Sequence, residues 1–345
     1  ERLGQHVRGS DTICRLGGDE FVVVLTAIHD AGDAARVASK LLHGLAEPLK
    51  VGGHTLNIST SIGISLYPMD GSDPDILLQH ADTALYQAKT NGRNNYQFFT
   101  VEMNVRARER LQLEQDLREA LQQNEFTLHY QPQIDCITGQ VVAIEALLRW
   151  RHPKLGWVAP DRFIPIAEDS GLIVPISEWA LAKACRDSQT WRRVGLEHGT
   201  ITFNLSALQL QRAGFSARVA EILREAGLQP GDLELELTEK LRTHEANAAV
   251  LQQLKDMGVV LSVDDFGVGY SNLSYLRRFA IDKLKLDRSF LGDIGNGADA
   301  AMIVTAIITT AHCLRLAVVA EGVETRQQME FLLKRNCSLL QGYYF

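Results

Sequence analysis

Glu145, Asn204, Glu236, the pair Asp264 and Asp265, Lys285, Glu321 and Gln341 share one property: each closes or follows a short apolar run. The runs are 141–144, 201–203, 233–235, 259–263, 281–284, 317–320 and 339–340. Every one of these side chains can bind a hard cation or handle a proton. The successive gaps of 59, 32, 28, 21, 36 and 20 residues are mostly long enough for one helix and a return to a parallel neighbour. That is the rhythm of a βα barrel, where working residues sit at the carboxyl ends of several strands. A single Glu at a strand end is ordinarily a solvated loop residue. Seven successive strand ends of this kind make that reading poor for the set.

Five carboxylates (Glu145, Glu236, Asp264, Asp265, Glu321) converging on one barrel mouth would repel, and each buried unpaired charge costs several kcal/mol. Cations must therefore belong to the site. The donor set is all oxygen once Asn204 and Gln341 are added, with no His or Cys, which favours Mg²⁺, Mn²⁺ or Ca²⁺ over zinc or copper. Two ions bridged by a shared carboxylate would use the whole set, with Asp264 and Asp265 as the place for the bridge. Two-ion sites typically activate a water and clamp both oxygens of an in-line phosphoryl displacement. Buried beside metal ions, Lys285 has its charged form disfavoured, which suits proton transfer near neutral pH; neutralising the acidic cluster is its other role, and the two can coexist. Glu234 lies on the face of Glu236 but one layer deeper, so it reads as a supporting residue.

The chain must build elements that position these groups. Its 345 residues allow about two domains, and 46% hydrophobic with 22% charged residues is ordinary globular composition. A formal charge of −7 excludes a general binder of nucleic-acid polymers, which would carry a basic face. No apolar stretch approaches the ~18 residues of a membrane span and no signal peptide is present, so any membrane anchor is expected in a preceding region of the parent protein. The five cysteines are scattered without a CxxC, which fits a reducing cytoplasm better than a disulfide framework.

Residues 1–98 read as an α/β unit. Strand-like runs at 13–16 and 21–25 flank Gly17-Gly18-Asp19-Glu20 and predict a hairpin. Helices are expected over 31–45 and 73–90, with a strand over 54–65 between them. In the second helix Leu77, Ala81, Ala84, Leu85 and Ala88 line one face and Gly92 caps the end. The charged stretch within 99–123, free of Gly and Pro over 103–123, predicts a connecting helix into a second domain at 124–345.

Glu145-Ala146-Leu147-Leu148-Arg149-Trp150 closely resembles the signature of the EAL-domain cyclic di-GMP phosphodiesterases. Tyr130-Gln131-Pro132, Phe203-Asn204-Leu205-Ser206, Glu236-Leu237-Thr238-Glu239 and Asp264-Asp265-Phe266-Gly267 match that family in order. So do Lys283-Leu284-Lys285-Leu286-Asp287, Ala320-Glu321-Gly322-Val323-Glu324 and Gln341-Gly342-Tyr343. The resemblance covers about 220 residues. It implies a TIM-like (βα) barrel that hydrolyses cyclic di-GMP to linear pGpG with two Mg²⁺ or Mn²⁺ ions. By the same likeness the metal ligands are Glu145, Asn204, Glu236, Asp264, Asp265 and Glu321. Lys285 and Gln341, with Asp265 and Glu321, are the groups implied for catalysis, and Arg149, Gln131 and Asp287 for substrate contact. The loop following Asp265 is implied to couple metal binding to a homodimer contact, with Glu239 as its tether. Val268 stands where the family usually has threonine, and the chain stops at Phe345 before the family's closing segment, so loop ordering and barrel closure are expected to be the weak points.

Arg15-Leu16-Gly17-Gly18-Asp19-Glu20-Phe21 resembles the GGDEF signature of diguanylate cyclases. Gly17 and Gly18 then leave room for a nucleotide, and Asp19 and Glu20 offer carboxylates to Mg²⁺. Lys89 and Arg93 match that family's triphosphate contacts, which implies GTP as a ligand. Arg8-Gly9-Ser10-Asp11, five residues before Gly17, falls where the family has its inhibitory product-binding motif, so Arg8 and Asp11 are the implied inhibitory site. The family's first strand and helix would precede Glu1, so this stretch is expected to lack cyclase activity. The leading expectation is a metal-dependent phosphodiesterase. The alternatives are a catalytically inactive cyclic di-GMP receptor and a Mg²⁺-dependent barrel enzyme that abstracts a proton from a carboxylate substrate through Lys285.

Overall fold

The computed structural model describes residues 2–52, 54–238, 247–266, 281–292 and 298–345, and the side chains of a few residues inside elements, Asp265 among them, lie outside that set. The chain divides into two compact units, Glu1–Gln112 and Leu113–Phe345.

In the first unit β1 (Thr12–Gly17) and β2 (Glu20–Val24) form the antiparallel hairpin expected around the Gly-Gly-Asp-Glu turn. Helix α1 (Ala31–Ala46) starts on Asp30, whose carboxylate accepts from the Asp33 backbone N–H. The strand expected over 54–65 is instead two short pieces. After a turn at Gly52, β4 (His54–Leu56) folds back on β3 (Leu49–Val51), and the irregular run 57–61, polar but for Ile58, separates it from β5 (Ile62–Ile64). Helix α2 (Pro74–Thr90) begins at Asp73, which accepts from the Asp75 and Ile76 N–H groups, with Pro74 where no donor is needed. Its predicted apolar face packs against β5, with Ala84 and Ala88 fully buried. A parallel partner for β5 comes from β6 (Tyr96–Phe98). Helix α3 (Val101–Ala120) is the charged connecting segment, and its Leu113, Leu117 and Ala120 are buried within the second unit.

The second unit is an eight-stranded closed barrel. In chain order its strands are β7 (Phe126–Asp135), β8 (Gln140–His152), β10 (Thr200–Leu205), β11 (Leu233–Thr238), β12 (Val260–Phe266), β13 (Lys283–Leu286), β14 (Ala317–Ala320) and β15 (Leu339–Leu340). The short β9 (Gly156–Val158) extends β8 as an antiparallel edge. From β8 through β10 to β15 the pairings are parallel, as the gap lengths predict. Strand β7 differs. It is antiparallel to both β8 and β15, because a short turn ending in Gly139 (φ +73°) joins it to β8 and leaves no room for a crossover helix. That pairing with β15 completes the ring, which corrects the expectation that closure would be a weak point: the strands carrying Gln341 and Gln131 are joined directly.

Alternation fixes which side chains enter the barrel. In β11, Leu233, Leu235 and Leu237 are completely buried against the helical layer, each worth about 1.5–3 kcal/mol. Their spacing forces Glu234 and Glu236 inward. The same alternation sends Leu284 and Leu286 outward and Lys283 and Lys285 inward on β13, so the barrel interior sets two lysines near two glutamates. At β12 the register slips between Val263 and Phe266, a bulge at the Asp264-Asp265 pair of the kind that re-aims side chains beside functional sites.

Candidate active site

Lys285 stands at the centre of the mouth and is 1% exposed. Its Nζ lies 2.6 Å from Glu236 Oε1, 3.4 Å from Glu145 Oε2 and 3.9 Å from Asp264 Oδ1, and it also contacts Glu321 Oε1. These residues come from β8, β11, β12, β13 and the end of β14, so five strands assemble the cluster. Glu145 is held on both oxygens: Asn204 Nδ2 donates to Oε1 at 2.7 Å and Gln341 Nε2 donates to Oε2 at 2.7 Å. Gln341 also donates to Gln131 Oε1 at 3.2 Å, across the β15–β7 seam. Two glycines make room for these ends. Gly322 follows Glu321 with φ +68°, and a Cβ there would sit 2.3 Å from Arg288 Cβ. At Gly342, next to Gln341, a Cβ would meet the Val323 carbonyl oxygen at 2.1 Å.

The electrostatics follow from one cation among four carboxylates. Burial pushes the Glu236 carboxyl well above the usual range, and the Lys285 charge only partly offsets this. Glu321 is pushed up to about 7, by burial first and by Asp264 and Glu145 in addition. Glu145 ends below its ordinary value, since Lys285, Gln341 and Asn204 outweigh its burial. Lys285, without metal ions, takes the neutralising role. Burial lowers it, but Glu236, Glu145, Glu321 and Asp264 together hold it protonated well above the ordinary lysine range. In this arrangement Lys285 is the counter-ion of the acidic cluster rather than a ready base.

Whether the residues fit a metal can be judged from the same geometry. Four carboxylates against one lysine leave excess negative charge in a nearly dry place. Both carboxylate oxygens of Glu236 lack an aligned hydrogen bond despite the nearness of Lys285, and Gln341 Oε1 is likewise buried without a donor. An all-oxygen donor set with orphaned acceptors suits a hard divalent cation. Among the described residues no three His, Cys, Asp or Glu side chains stand ready-made as a metal cluster, because the carboxylates close on Lys285 instead. The fit therefore lies in donor chemistry and charge.

The remaining predicted residues are placed as follows. Arg149 is half-buried on β8, four residues past Glu145, and hydrogen-bonds to the Leu148 carbonyl at 2.9 Å. Asp287 accepts from the Ser289 N–H at 2.9 Å and its carboxyl is lowered, since hydrogen bonds from Ser289 and Arg288 outweigh its partial burial. Glu239, Val268 and the loop over 267–280 lie outside the described residues, as does the side chain of Asp265. In the first unit Gly17, Gly18, Asp19 and Glu20 are all exposed, with Gly18 at φ +52° in the turn and Arg15 donating to its carbonyl. Lys89 and Arg93 are exposed at and after the end of α2. Asp11 accepts from the Arg8 N–H at 2.8 Å and the Thr26 N–H at 3.1 Å, and these bonds lower its carboxyl. Sequence reasoning placed Glu234 one layer down but missed its partner: Lys283 Nζ lies 2.5 Å from Glu234 Oε2, and Thr200 donates to the same oxygen at 3.3 Å. The two inward lysines of Lys283-Leu284-Lys285 were the available signal.

Comparison with known proteins settles the family. Residues 114–345 match the model of the EAL domain. The chain belongs to the EAL domain family. Ahead of it, residues 1–95 match the diguanylate cyclase GGDEF domain, so the expected tandem is present. The chain is 46% identical to the bifunctional diguanylate cyclase/cyclic di-GMP phosphodiesterase MucR of Pseudomonas aeruginosa, over 99% of its own length and 50% of that relative. It is 44% identical to the cyclic di-GMP phosphodiesterase NbdA of the same organism, covering 44% of that protein. It thus spans about half the length of these curated relatives. Among solved structures, the PaMucR phosphodiesterase in complex with c-di-GMP aligns with a TM-score of 0.65 at 45% identity, covering 68% of this chain and 95% of that one.

Proposed function

We propose that the barrel of this EAL protein is a metal-dependent phosphodiesterase that hydrolyses cyclic di-GMP to linear pGpG. The observation that carries the reading is the Lys285-centred cluster, in which Glu145 is pinned by Asn204 and Gln341 while Glu236, beside Lys285 through Oε1, keeps Oε2 without a partner. The similarity to proteins named as cyclic di-GMP phosphodiesterases supplies the substrate. In the reaction a water oxygen bonds to phosphorus, the P–O3′ bond breaks, and the leaving 3′ oxygen takes up a proton.

Glu145, Asn204, Glu236, Asp264, Asp265 and Glu321 are the residues that would hold two Mg²⁺ or Mn²⁺ ions. Bound there, such ions supply Lewis acidity and lower the pKa of water. The chain's own groups do the rest. Gln341 fixes the Glu145 carboxylate and, with Lys285, orients the attacking water. Neutralising the surrounding carboxylates removes what holds Lys285 protonated, which brings its proton within reach of exchange. Arg149 grips a phosphate oxygen pair, with Gln131 and Asp287 lining the substrate.

The connecting helix joins domains at 1–98 and 124–345, and dimer contact runs through the barrel; the tether role of Glu239 towards the loop following Asp265 rests on the family resemblance alone. The Gly17-Gly18-Asp19-Glu20 turn, Lys89 and Arg93 form the nucleotide face of a domain that takes GTP in the parent protein, and Arg8 and Asp11 its product-inhibition site. This part of the parent protein is read as cytoplasmic; separately, among the described residues no helix is long and apolar enough to cross a membrane.

Incubation of the chain with cyclic di-GMP and Mg²⁺ or Mn²⁺, followed by chromatography, tests the reading. Linear pGpG from the wild-type chain and none from Glu145→Ala supports it. Tight binding with no product in either metal would place the protein among receptors.

A further inference from the structure

An exposed aromatic pair stands on the strand face that leads out of the site. On β8 the odd-numbered residues share one face, and their exposure grows outward: Glu145 is buried, Leu147 and Arg149 are half-buried, and Arg151 is exposed. The opposite face, with Trp150 and His152, is buried. Register places Gln131 opposite Glu145, His129 opposite Leu147 and Thr127 opposite Arg149 on β7, and Trp157 opposite Arg151 on β9. All therefore lie on the face that begins at the catalytic cluster. Trp157 is 57% exposed, and His129 is also exposed. Their rings meet edge to face with centroids 5.4 Å apart, although they sit on strands separated by β8. The indole must therefore lean back across β8 towards the mouth, over the stretch that carries Leu147 and Arg149.

What sets Trp157 apart is its setting: an open aromatic face, in ring contact with His129, beside an arginine with no carboxylate partner among the described residues, on the strand face that starts at the cluster. Position 147 is only about 7 Å along the strand from Glu145, so a ligand held at the cluster has its adjoining parts over this face. Aromatic rings stack any nucleobase, and a guanidinium alongside takes the phosphate.

We propose that Trp157, steadied edge-on by His129, is the stacking platform for one guanine of the cyclic dinucleotide. This rests on the phosphodiesterase reading. Arg149 grips the phosphate while the indole, rooted opposite Arg151 and leaning back towards His129, holds the base attached to it. Trp157 thus confers affinity for the purine and contacts no reacting atom.

Steady-state kinetics on cyclic di-GMP with the full chain, comparing wild type, Trp157→Ala, Trp157→Leu and Trp157→Phe with His129→Ala, tests this. Stacking predicts that KM rises about tenfold in the Ala and Leu variants, with kcat held within about twofold and melting temperature unchanged. Trp157→Phe recovers most of the affinity because it restores a π face, and His129→Ala raises KM by a smaller factor. An unchanged KM in Trp157→Ala overturns the proposal and leaves the face to a different partner. So does a parallel loss of kcat and melting temperature, or a Leu variant as good as Phe, since each marks packing rather than stacking. Wild-type failure to cleave cyclic di-GMP would sink the phosphodiesterase reading itself and the platform with it.

Discussion

The barrel mouth and the nucleotide-binding residues expected in the first unit use the same chemical alphabet, acidic residues with a lysine and an arginine, yet the fold treats them in opposite ways. At the mouth, Glu236 is 1% exposed and Lys285 also 1%, and Glu145 is held by partners from two other strands. In the first unit, Asp19 and Glu20 at the turn and Lys89 and Arg93 at the end of α2 are all open to solvent. Burial makes the first set interdependent. A charge change there is felt by several neighbours in a poorly screened place, whereas at the turn water screens each charge separately. A motif therefore marks candidate residues, and burial shows which of them the structure has committed to one arrangement.

The largest expected effect comes from removing the central cation. Lys285→Met leaves four carboxylates facing one another, so activity is lost and the metal-free protein is destabilised by about 3–5 kcal/mol. Urea unfolding with and without Mn²⁺ measures this, and the loss should shrink when the ion is present. A metal-free Lys285→Met as stable as wild type would mean that the cluster is not electrostatically coupled. Next comes the tight approach at Gln341. Gly342→Ala should cost about 1–3 kcal/mol and lower kcat, because its Cβ collides with the Val323 carbonyl; the same urea series and a rate assay report it.

A moderate effect is expected from pH. Glu321 is at about 7 in the folded protein, above its value of 4.5 when unpaired, so the folded state keeps a proton that the unfolded state releases. That contribution is fully present below about pH 4.5 and is lost as pH rises through 7. Glu236 acts with the same sign. Glu145 has the opposite sign, but its effect falls below 4.5, and Lys285 acts only above 10.5. The melting temperature of the metal-free protein should therefore fall between pH 5 and 7.5, and Glu321→Gln should flatten that slope. The smallest effect belongs to the turn: Asp19→Ala and Glu20→Ala should each change stability by less than about 0.5 kcal/mol and leave cyclic di-GMP hydrolysis untouched. A large loss from either would erase the contrast between the two regions.

Much of the barrel was legible because its strands write their two faces into the sequence. Leu233-Glu234-Leu235-Glu236-Leu237 states both the outward leucines and the inward glutamates. The parallel pairings from β8 to β15 were likewise visible in the gap lengths. What stayed hidden depended on partners distant in sequence. The short turn at Gly139 sets β7 antiparallel to β8, but nothing local announces that β7 also joins β15 to close the ring, since pairing between residues 134 and 340 is a tertiary fact. The protonation of Lys285 in the metal-free cluster stayed hidden for a similar reason. Burial and opposing charge act in opposite directions on a lysine, and only geometry shows that four carboxylates outweigh one desolvation. The break in the strand expected over 54–65 reflects the turn at Gly52, which pairs β4 with β3 rather than extending it towards β5.

The most direct measurement of the central claim is calorimetric titration of Mn²⁺ into the metal-free chain, beside Glu236→Gln and Asp19→Ala. The buried, under-neutralised cluster predicts saturable binding by wild type that Glu236→Gln weakens by at least tenfold and Asp19→Ala leaves unchanged. An isotherm indifferent to Glu236, or no binding at all, would contradict a cation site at the barrel mouth.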